Sequence, residues 1–132
     1  MEINILSYTF DEFEIFQKSA VEFEFNRYSK NNDLNITLNI EIMKFESPGD
    51  SYDNFRLLVE SLLKKSRIHN DNFDIYFYDL RYSDIYGPYL LDLKKYLPEE
   101  YLQLYNSRVV NETCYYKDEL VGLVNTRHFK NI

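Results

Sequence analysis

The sequence predicts an α/β domain built on a mostly parallel sheet, and three observations support this fold class. Short apolar segments typical of strands alternate with longer segments whose apolar residues recur every three or four positions, as they do in helices. The 132 residues are 45% hydrophobic and 28% charged, a balance typical of a globular chain. One middle segment is almost continuously apolar, as a strand covered on both faces would be. We therefore expect residues 1–132 to form a single domain.

The first strand is predicted at residues 3–7, and a helix follows it. Thr9 and Glu12 match a capping box, in which Thr9 is the N-cap and Glu12 bonds back to it. The helix is expected to run to about residue 28. Its apolar residues recur at spacings of three and four and are expected to face the core. They are Phe13, Phe16, Ala20 and Phe23.

The second strand shows a period of two, which predicts one buried and one exposed face near a sheet edge. Apolar residues occupy its even positions: Ile36, Leu38, Ile40 and Ile42. Residues 47–50 (Ser-Pro-Gly-Asp) predict a turn that offers an N-cap to the next helix. The apolar face of that helix consists of Phe55, Leu58, Val59, Leu62 and Leu63.

The third strand is predicted at residues 73–79, in the near-continuous apolar run Phe-Asp-Ile-Tyr-Phe-Tyr-Asp. Such a run is expected at the centre of a parallel sheet. Strands that alternate with helices give right-handed crossovers and a parallel, Rossmann-like sheet. We expect the strand order two-one-three from the edge inward, with helices on both faces. Later in the chain, Pro98 is expected to open a short helix, and residues 113–116 and 120–123 to form two short strands.

Composition restricts the possible partners. The chain has 15 Lys and Arg against 22 Asp and Glu, a net charge of −7, and no basic stripe, so we expect no nucleic-acid partner. No segment approaches the roughly 20 apolar residues of a membrane span. Residues 2–14 carry four acidic and no basic side chains, so no signal peptide is visible. Two sequons, at Asn35 and Asn111, would accept N-linked glycans in a secreted chain.

No enzymatic motif is found. Glycine-rich phosphate-binding loops and the nucleophile elbow are missing from the sequence. Cys114 lies in a strand-like run and is expected to be a buried structural thiol. His69 and His128 have no companion ligands nearby in the sequence, so we expect no metal site. We therefore predict a chain without catalytic residues and without a cofactor.

Ligands of open parallel sheets bind beyond the carboxyl ends of the strands. Tyr8 follows the first strand, and Asp79, Arg81 and Tyr82 end or follow the third. A carboxylate and a guanidinium bind hydroxyl groups, and tyrosine rings stack on sugars. These four residues are the predicted ligand site. The alternative is a surface loop held by an Asp79–Arg81 pair.

Five segments in the same order resemble the extracellular solute-binding proteins of sugar transporters, which have the type II periplasmic binding protein fold. They begin at Ile36 (Ile-Thr-Leu-Asn-Ile-Glu), Tyr52 (Tyr-Asp-Asn-Phe), Phe73, Gly87 (Gly-Pro-Tyr-Leu-Leu-Asp-Leu) and Cys114 (Cys-Tyr-Tyr-Lys-Asp-Glu-Leu-Val-Gly-Leu). The aromatic and Asn-rich composition of these segments most resembles the receptor-associated versions of anaerobic fungi. In the last segment, Lys117-Asp118 replaces the family's Asp-Gly, and Val124 replaces its proline.

The resemblance implies a partial first lobe of a two-lobed, extracellular or cell-surface protein. It implies a sugar or polyol ligand, bound weakly because the second lobe would supply half of the contacts. The alternative is a structural or protein-interaction fragment that has lost ligand binding. Because the face toward the second lobe would be unsealed, we expect self-association. The aromatic residues expected near that face are Phe10, Tyr82, Tyr86 and Phe129.

Overall fold

The computed structural model describes residues 1–46, 48–66, 73–105 and 108–124. Contacts within the chain define two compact units, Met1–Tyr78 (unit 1) and Asp79–Ile132 (unit 2). Each unit is described by itself below. That all 132 residues form one domain stays a prediction.

Unit 1 contains a parallel sheet of three strands in the order β2-β1-β3. Strand β1 spans Glu2–Thr9, β2 spans Thr37–Lys44 and β3 spans Ile75–Tyr76. The mixed α/β class and the two-one-three order of the strands are confirmed. Ile5 and Leu6 point to opposite faces of β1 and are both buried, so both faces of the central strand are covered.

Strand β3 is much shorter than the predicted residues 73–79, and its predicted position at the buried centre of the sheet is wrong. Ile75 is 46% exposed and Phe77 is 38% exposed. The physical reason is the strand order. Strand β3 pairs with β1 on one side, through Ile5 with Ile75, and no strand in the described ranges pairs with its other side. An apolar run therefore marks an edge strand here.

Helix α1 spans Glu12–Asn31, and its N-cap differs from the predicted one. The capping residue is Asp11, whose side chain accepts a hydrogen bond of 2.9 Å from the Phe13 N–H. Thr9 cannot be the cap because it is the last residue of β1. Its buried hydroxyl instead lies 2.5 Å from the Glu14 carboxylate, to which it donates. The predicted capping box is therefore wrong by two positions.

The aromatic stripe of α1 faces outward, which contradicts the predicted orientation of this helix. Phe13, Phe16 and Phe23 are 61%, 70% and 65% exposed, and Ala20 is exposed beside them. We call these four residues the α1 stripe. The opposite side of the helix is the one that contacts the sheet, and it does so largely through polar side chains.

Those polar side chains bind the outer edge of β2. Asn26 donates to the Leu38 carbonyl at 2.9 Å and accepts from the Leu38 N–H at 2.7 Å. Ser29 makes the same two bonds to Ile36, at 2.6 and 3.2 Å. Glu22 accepts from the Ile40 N–H at 2.6 Å. Helix α1 thus satisfies backbone groups of an edge strand that would otherwise face water or another chain.

The spacing of the three α1 side chains explains why they reach alternate residues of the β2 segment. Residues 22, 26 and 29 lie on one face of a helix, and successive contacts on the strand fall at residues 40, 38 and 36. Two strand residues rise about 6.6 Å, whereas three or four helix residues rise about 4.5–6 Å. Because the two steps are similar, an antiparallel helix reaches alternate residues of the strand. The N–H groups of Thr37 and Phe45, at odd positions, donate toward β1 instead, to the Met1 and Thr9 carbonyls at 2.9 Å each.

Helix α2 spans Pro48–Ser66. Phe55, Val59 and Leu63 are buried, which confirms the predicted apolar face, and Leu58 and Leu62 are partly buried beside them. Residues 48–50 belong to this helix rather than to the predicted turn. Ser47, the predicted capping residue, lies outside the described residues.

Two buried serines of unit 1 provide a matched test of this packing. Ser7 and Ser29 are 0% and 2% exposed. The Ser7 hydroxyl has no hydrogen-bond partner among the described residues, whereas Ser29 bonds twice to Ile36. We expect Ser7→Ala to leave the free energy of unfolding unchanged or raise it by about 1 kcal/mol, and Ser29→Ala to lower it by about 1–3 kcal/mol. Urea denaturation measures both, and changes of equal sign and size would contradict the assignment.

Unit 2 consists of short helices and one hairpin. Its α-helices are α3 (Ser83–Tyr86), α4 (Glu99–Leu104) and α5 (Arg108–Thr113), and 3-10 turns lie at Leu80–Tyr82, Gly87–Tyr89 and Leu93–Lys95. Strands β4 (Tyr115–Tyr116) and β5 (Glu119–Leu120) form an antiparallel pair, so the predicted hairpin exists with shorter strands. Pro98 precedes α4 as its N-cap, which confirms a short helix there.

The core of unit 2 gathers around the single cysteine. Val110, Cys114 and Leu120 are buried together, and seven partly buried side chains pack around them. The predicted buried thiol is therefore confirmed. Burial raises the pKa of Cys114, and the Thr113 hydroxyl offsets part of this effect. A thiol in this setting is poorly nucleophilic.

Candidate functional site

An aromatic cluster lies at the carboxyl edge of the sheet in unit 1. The rings of Tyr8 and Phe10, at the end of β1, lie 6.1 Å apart. Phe10 lies 6.0 Å from Phe45, which follows β2. Phe55 of α2 completes the set, 4.6 Å from Tyr8 and 6.1 Å from Phe45. We call Tyr8, Phe10, Phe45 and Phe55 the aromatic cluster.

The parallel register brings these rings together. Tyr8 pairs with Met43 and Thr9 with Lys44, so the next residues, Phe10 and Phe45, are neighbours just beyond the strand ends. The Phe45 N–H donates to the Thr9 carbonyl at 2.9 Å and extends the ladder to this point. Because side chains two residues apart point to the same face, Tyr8 and Phe10 both lie on the face that meets α2.

Three of the four rings in the aromatic cluster are partly accessible to solvent. Phe55 is buried and forms the base, whereas Tyr8, Phe10 and Phe45 are each half-buried. Offset and edge-on ring pairs of this kind are fixed in place by their mutual contacts. The cluster is therefore a firm apolar surface beside the strand ends, where open parallel sheets bind ligands.

Two lysine side chains lie near the ends of β1 and β2, and each is already bonded to a group of unit 1. Lys18 donates to the Tyr8 carbonyl at 2.7 Å and lies 5.8 Å from the centre of the Phe77 ring. Burial lowers the pKa of Lys18, and the nearby Glu14 carboxylate partly opposes this shift. Lys44, at the end of β2, lies 2.7 Å from Glu12. Lys44 pairs in register with Thr9, so its side chain leaves the sheet on the face opposite Tyr8 and Phe10, on the side of α1.

The predicted site residues belong to different units. Tyr8 lies in the aromatic cluster of unit 1, whereas Asp79, Arg81 and Tyr82 lie in unit 2. Asp79 caps the turn at Leu80–Tyr82 and accepts from the Arg81 N–H at 3.0 Å. Its second oxygen accepts from the Arg81 side chain at 3.0 and 2.7 Å.

The Asp79 carboxylate and the Arg81 guanidinium, which were predicted to bind ligand hydroxyl groups, bond to each other instead. Hydrogen bonds from the Arg81 side chain lower the pKa of Asp79, more strongly than burial raises it. The guanidinium also lies 5.7 Å from the centre of the Tyr82 ring. The structure therefore has the loop held by an Asp–Arg pair that the sequence left open as an alternative. A ligand role for these three residues stays a prediction.

Two depressions outside the cluster are less suited to a sugar. One in unit 2, of about 180 Å³, is lined by residues that include Lys94, Leu102 and Tyr115. It is smaller than the roughly 300–1,000 Å³ of typical ligand pockets. One in unit 1, of about 510 Å³, lies where α1 ends and β2 begins, and none of its lining residues is aromatic.

The other predictions concern glycosylation sites, metal ligands and membrane spans. Asn35 and Asn111 are both exposed, and their glycosylation stays a prediction. No group of three or more His, Cys, Asp or Glu in the described ranges is placed to hold a metal ion, and His69 and His128 lie outside those ranges. The helices that the structure describes include none long and apolar enough to cross a membrane.

The aromatic residues predicted near an unsealed face need one correction. Tyr86 is fully buried, because its ring packs inside unit 2, 6.1 Å from the ring of Tyr82. Phe10 and Tyr82 are half-buried, and Phe129 lies outside the described residues. The rings that are more than half exposed in the described residues include those of the α1 stripe and of Tyr28, Tyr96 and Tyr101.

No protein-family model, curated protein or solved structure matches this chain. The resemblance to extracellular solute-binding proteins therefore stays a hypothesis, based on five short segments.

Proposed function

We propose that the chain is a non-catalytic binding module for a carbohydrate or polyol, related to the first lobe of the extracellular solute-binding proteins. The aromatic cluster at the carboxyl edge of a β2-β1-β3 parallel sheet is the observation that carries this proposal. The proposal places the chain at the cell surface or outside the cell, as part of a longer protein that supplies a second lobe.

The chemistry of the cluster suits such a ligand. A sugar ring has an apolar face that stacks on aromatic side chains, and hydroxyl groups at its rim that need hydrogen bonds. Tyr8, Phe10 and Phe45 offer half-buried rings for the apolar face, and the ammonium group of Lys18 lies near the end of β1, where it donates to the Tyr8 carbonyl. One surface contacts only one side of a ligand, whereas closed pockets bury roughly 70–90% of it.

Weak binding is therefore expected. Isothermal titration of the chain against a panel of mono- and oligosaccharides should find at least one ligand with a Kd of about 1 mM, equivalent to about −4 kcal/mol. Phe45→Ala should weaken that binding roughly threefold to tenfold, since a ring pair contributes about 0.5–1.5 kcal/mol beyond its buried area.

The matched control is Tyr101→Ala, which removes an aromatic ring that is exposed in unit 2. It should leave the Kd unchanged. An equal loss in both variants would contradict the proposed surface. Silence of the parent chain toward every saccharide up to about 10 mM, ten times the expected Kd, would contradict the proposed function.

The second candidate is a protein-interaction module without a small ligand. One specific observation favours it, namely the exposed α1 stripe, because the rings of Phe13, Phe16 and Phe23 are each more than half exposed. The two functions use different surfaces of unit 1. Substitutions in the aromatic cluster and in the α1 stripe therefore separate them.

A further inference from the structure

We propose that unit 2 binds a free α-amino acid with an aliphatic side chain. The site is the depression of about 180 Å³ lined by residues of α4, α5 and the hairpin, which we call the unit 2 pocket. Its base is apolar, because Val110 and Leu120 are only 5% and 4% exposed and Leu102 packs against them. Tyr105 and Tyr115 add two half-buried rings to its wall. The pocket therefore has a place for an apolar group.

The size of the unit 2 pocket limits the ligand to a small molecule. A closed cavity of about 150 Å³ holds one benzene molecule. The unit 2 pocket is slightly larger and opens to solvent on one side. The branched side chain of leucine or valine has fewer carbon atoms than benzene. Such a side chain fits over the apolar base while the charged end of the same molecule stays at the mouth.

The hairpin holds a cation at the unit 2 pocket. The Lys94 ammonium lies 5.5 Å from the centre of the Tyr115 ring and donates to the Asp118 carbonyl. These two contacts restrict where the ammonium group can lie. An ammonium has three N–H donors, so donors remain for a ligand. Lys94 therefore offers a positioned cation to a carboxylate.

Helix α4 supplies an anion and a carboxamide to the same pocket. Glu99, Leu102 and Gln103 have the i, i+3, i+4 spacing of one helix face, and all three line the pocket. Among the described residues, the side chains of Glu99, Gln103 and Asn111 make no hydrogen bond or ion pair. Lys94 and Glu99 are therefore not paired with each other, and the pocket offers a ligand one group of each charge.

Charge complementarity favours an amino acid over other small ligands. Its carboxylate suits Lys94, its ammonium group suits Glu99, and its side chain suits the apolar base. A simple carboxylate leaves Glu99 without a countercharge, and a simple amine leaves Lys94 without one. Because opposite charges attract and like charges repel across a binding surface, an amino acid gains a contact that each of the other two classes lacks.

Chemical-shift titration of the ¹⁵N-labelled chain with L-leucine tests the site. Leucine should shift amides of residues that line the unit 2 pocket, such as Val110, Asn111 and Leu120. The Kd should be on the order of 1–10 mM, as expected for a ligand of about nine non-hydrogen atoms. Two analogues test the charges: 4-methylpentanoate lacks the amino group, and 3-methylbutylamine lacks the carboxylate. Each should bind roughly twofold to fivefold more weakly than leucine.

A matched pair of variants assigns the anion. Glu99→Gln should raise the Kd for leucine roughly twofold to fivefold and leave the Kd for 4-methylpentanoate unchanged or lower. This second readout separates lost recognition of the ammonium group from a damaged fold. The control Glu100→Gln removes the same charge from the next residue of α4, which lies outside the pocket lining, and should leave both Kd values unchanged.

Three results would overturn the proposal. One is the absence of shifts in unit 2 with leucine up to about 50 mM, well above the expected Kd. Another is equal affinity for leucine and both analogues, because the pocket would then select only an apolar group. The third is an equal effect of Glu99→Gln and Glu100→Gln, because net charge rather than Glu99 would then govern binding.

Discussion

Asn26→Ala should lower the free energy of unfolding of unit 1 by about 2–4 kcal/mol. The substitution removes both hydrogen bonds to Leu38 and leaves a buried N–H and a buried carbonyl without partners. Each such group costs about 1–3 kcal/mol. Urea denaturation measures the total loss. Amide hydrogen exchange should also show that the Leu38 N–H loses protection before the rest of β1 and β2 does.

The matched control is Asn39→Ala on the same strand. Asn39 is exposed, and its side chain donates to the Asn4 side chain at the surface, at 3.1 Å. Its replacement should change stability by less than about 0.5 kcal/mol. Equal losses at Asn26 and Asn39 would mean that α1 does not hold the edge of β2 in the manner described.

Gly87→Ala should destabilise unit 2 by about 1–3 kcal/mol or more. A Cβ atom added at Gly87 would lie 2.3 Å from both Cβ and Cγ of Tyr116. These atoms are close to the backbone of β4 and cannot swing away, so the hairpin must move. The backbone at Gly87 is helical, so alanine would otherwise be favourable by about 0.4–1 kcal/mol through the unfolded state. Overpacking of this severity outweighs that gain.

The double variant Gly87→Ala with Tyr116→Gly checks the cause, since Tyr116→Gly removes both contacted atoms. If the clash is the cause, the double variant should lose less stability than the two single losses combined. Thermal and urea unfolding of the four proteins give this coupling. A neutral or stabilising effect of Gly87→Ala alone would contradict the packing of the Gly87–Tyr89 turn against the hairpin.

The parallel pairing was predictable from the alternation of strands and helices, whereas the order two-one-three was an expectation that alternation alone does not determine. A strand, a helix and a second strand of suitable length form a right-handed parallel unit. The third strand can pair with either edge of that unit, and in the structure it pairs with β1. The length and burial of β3 were not predictable in this way. The apolar run around Ile75 indicates only that the segment is extended, and its exposure follows from its place at the edge of three strands.

The orientation of α1 shows where periodicity fails. The stripe at Phe13, Phe16 and Phe23 predicts an apolar face toward the core, but hydrogen bonding determines the orientation. Asn26 and Ser29 reach backbone groups of β2, and these bonds become visible only once β2 is known to be an edge strand. The sequence signal was a polar face, at residues 22, 26 and 29, opposite the aromatic one.

The candidate site was predicted in one part. Tyr8 was placed correctly at the end of β1, but Phe10, Phe45 and Phe55 join it through the register of two strands and the packing of α2. The clue was that aromatic residues follow both strand ends. Asp79 and Arg81 were predicted as site residues because a carboxylate and a guanidinium both bind hydroxyl groups. The same two groups also bind each other, and here they lie two positions apart and do so.

Chemical-shift mapping tests the proposed carbohydrate site most directly. The ¹⁵N-labelled chain would be titrated with the saccharide that gives the strongest calorimetric signal. Our account predicts concentration-dependent shifts centred on the amides of Tyr8, Phe10 and Phe45 that fit a Kd of about 1 mM, with unit 2 largely unaffected. Shifts confined to other residues, or the absence of shifts with every saccharide tested, would contradict this prediction.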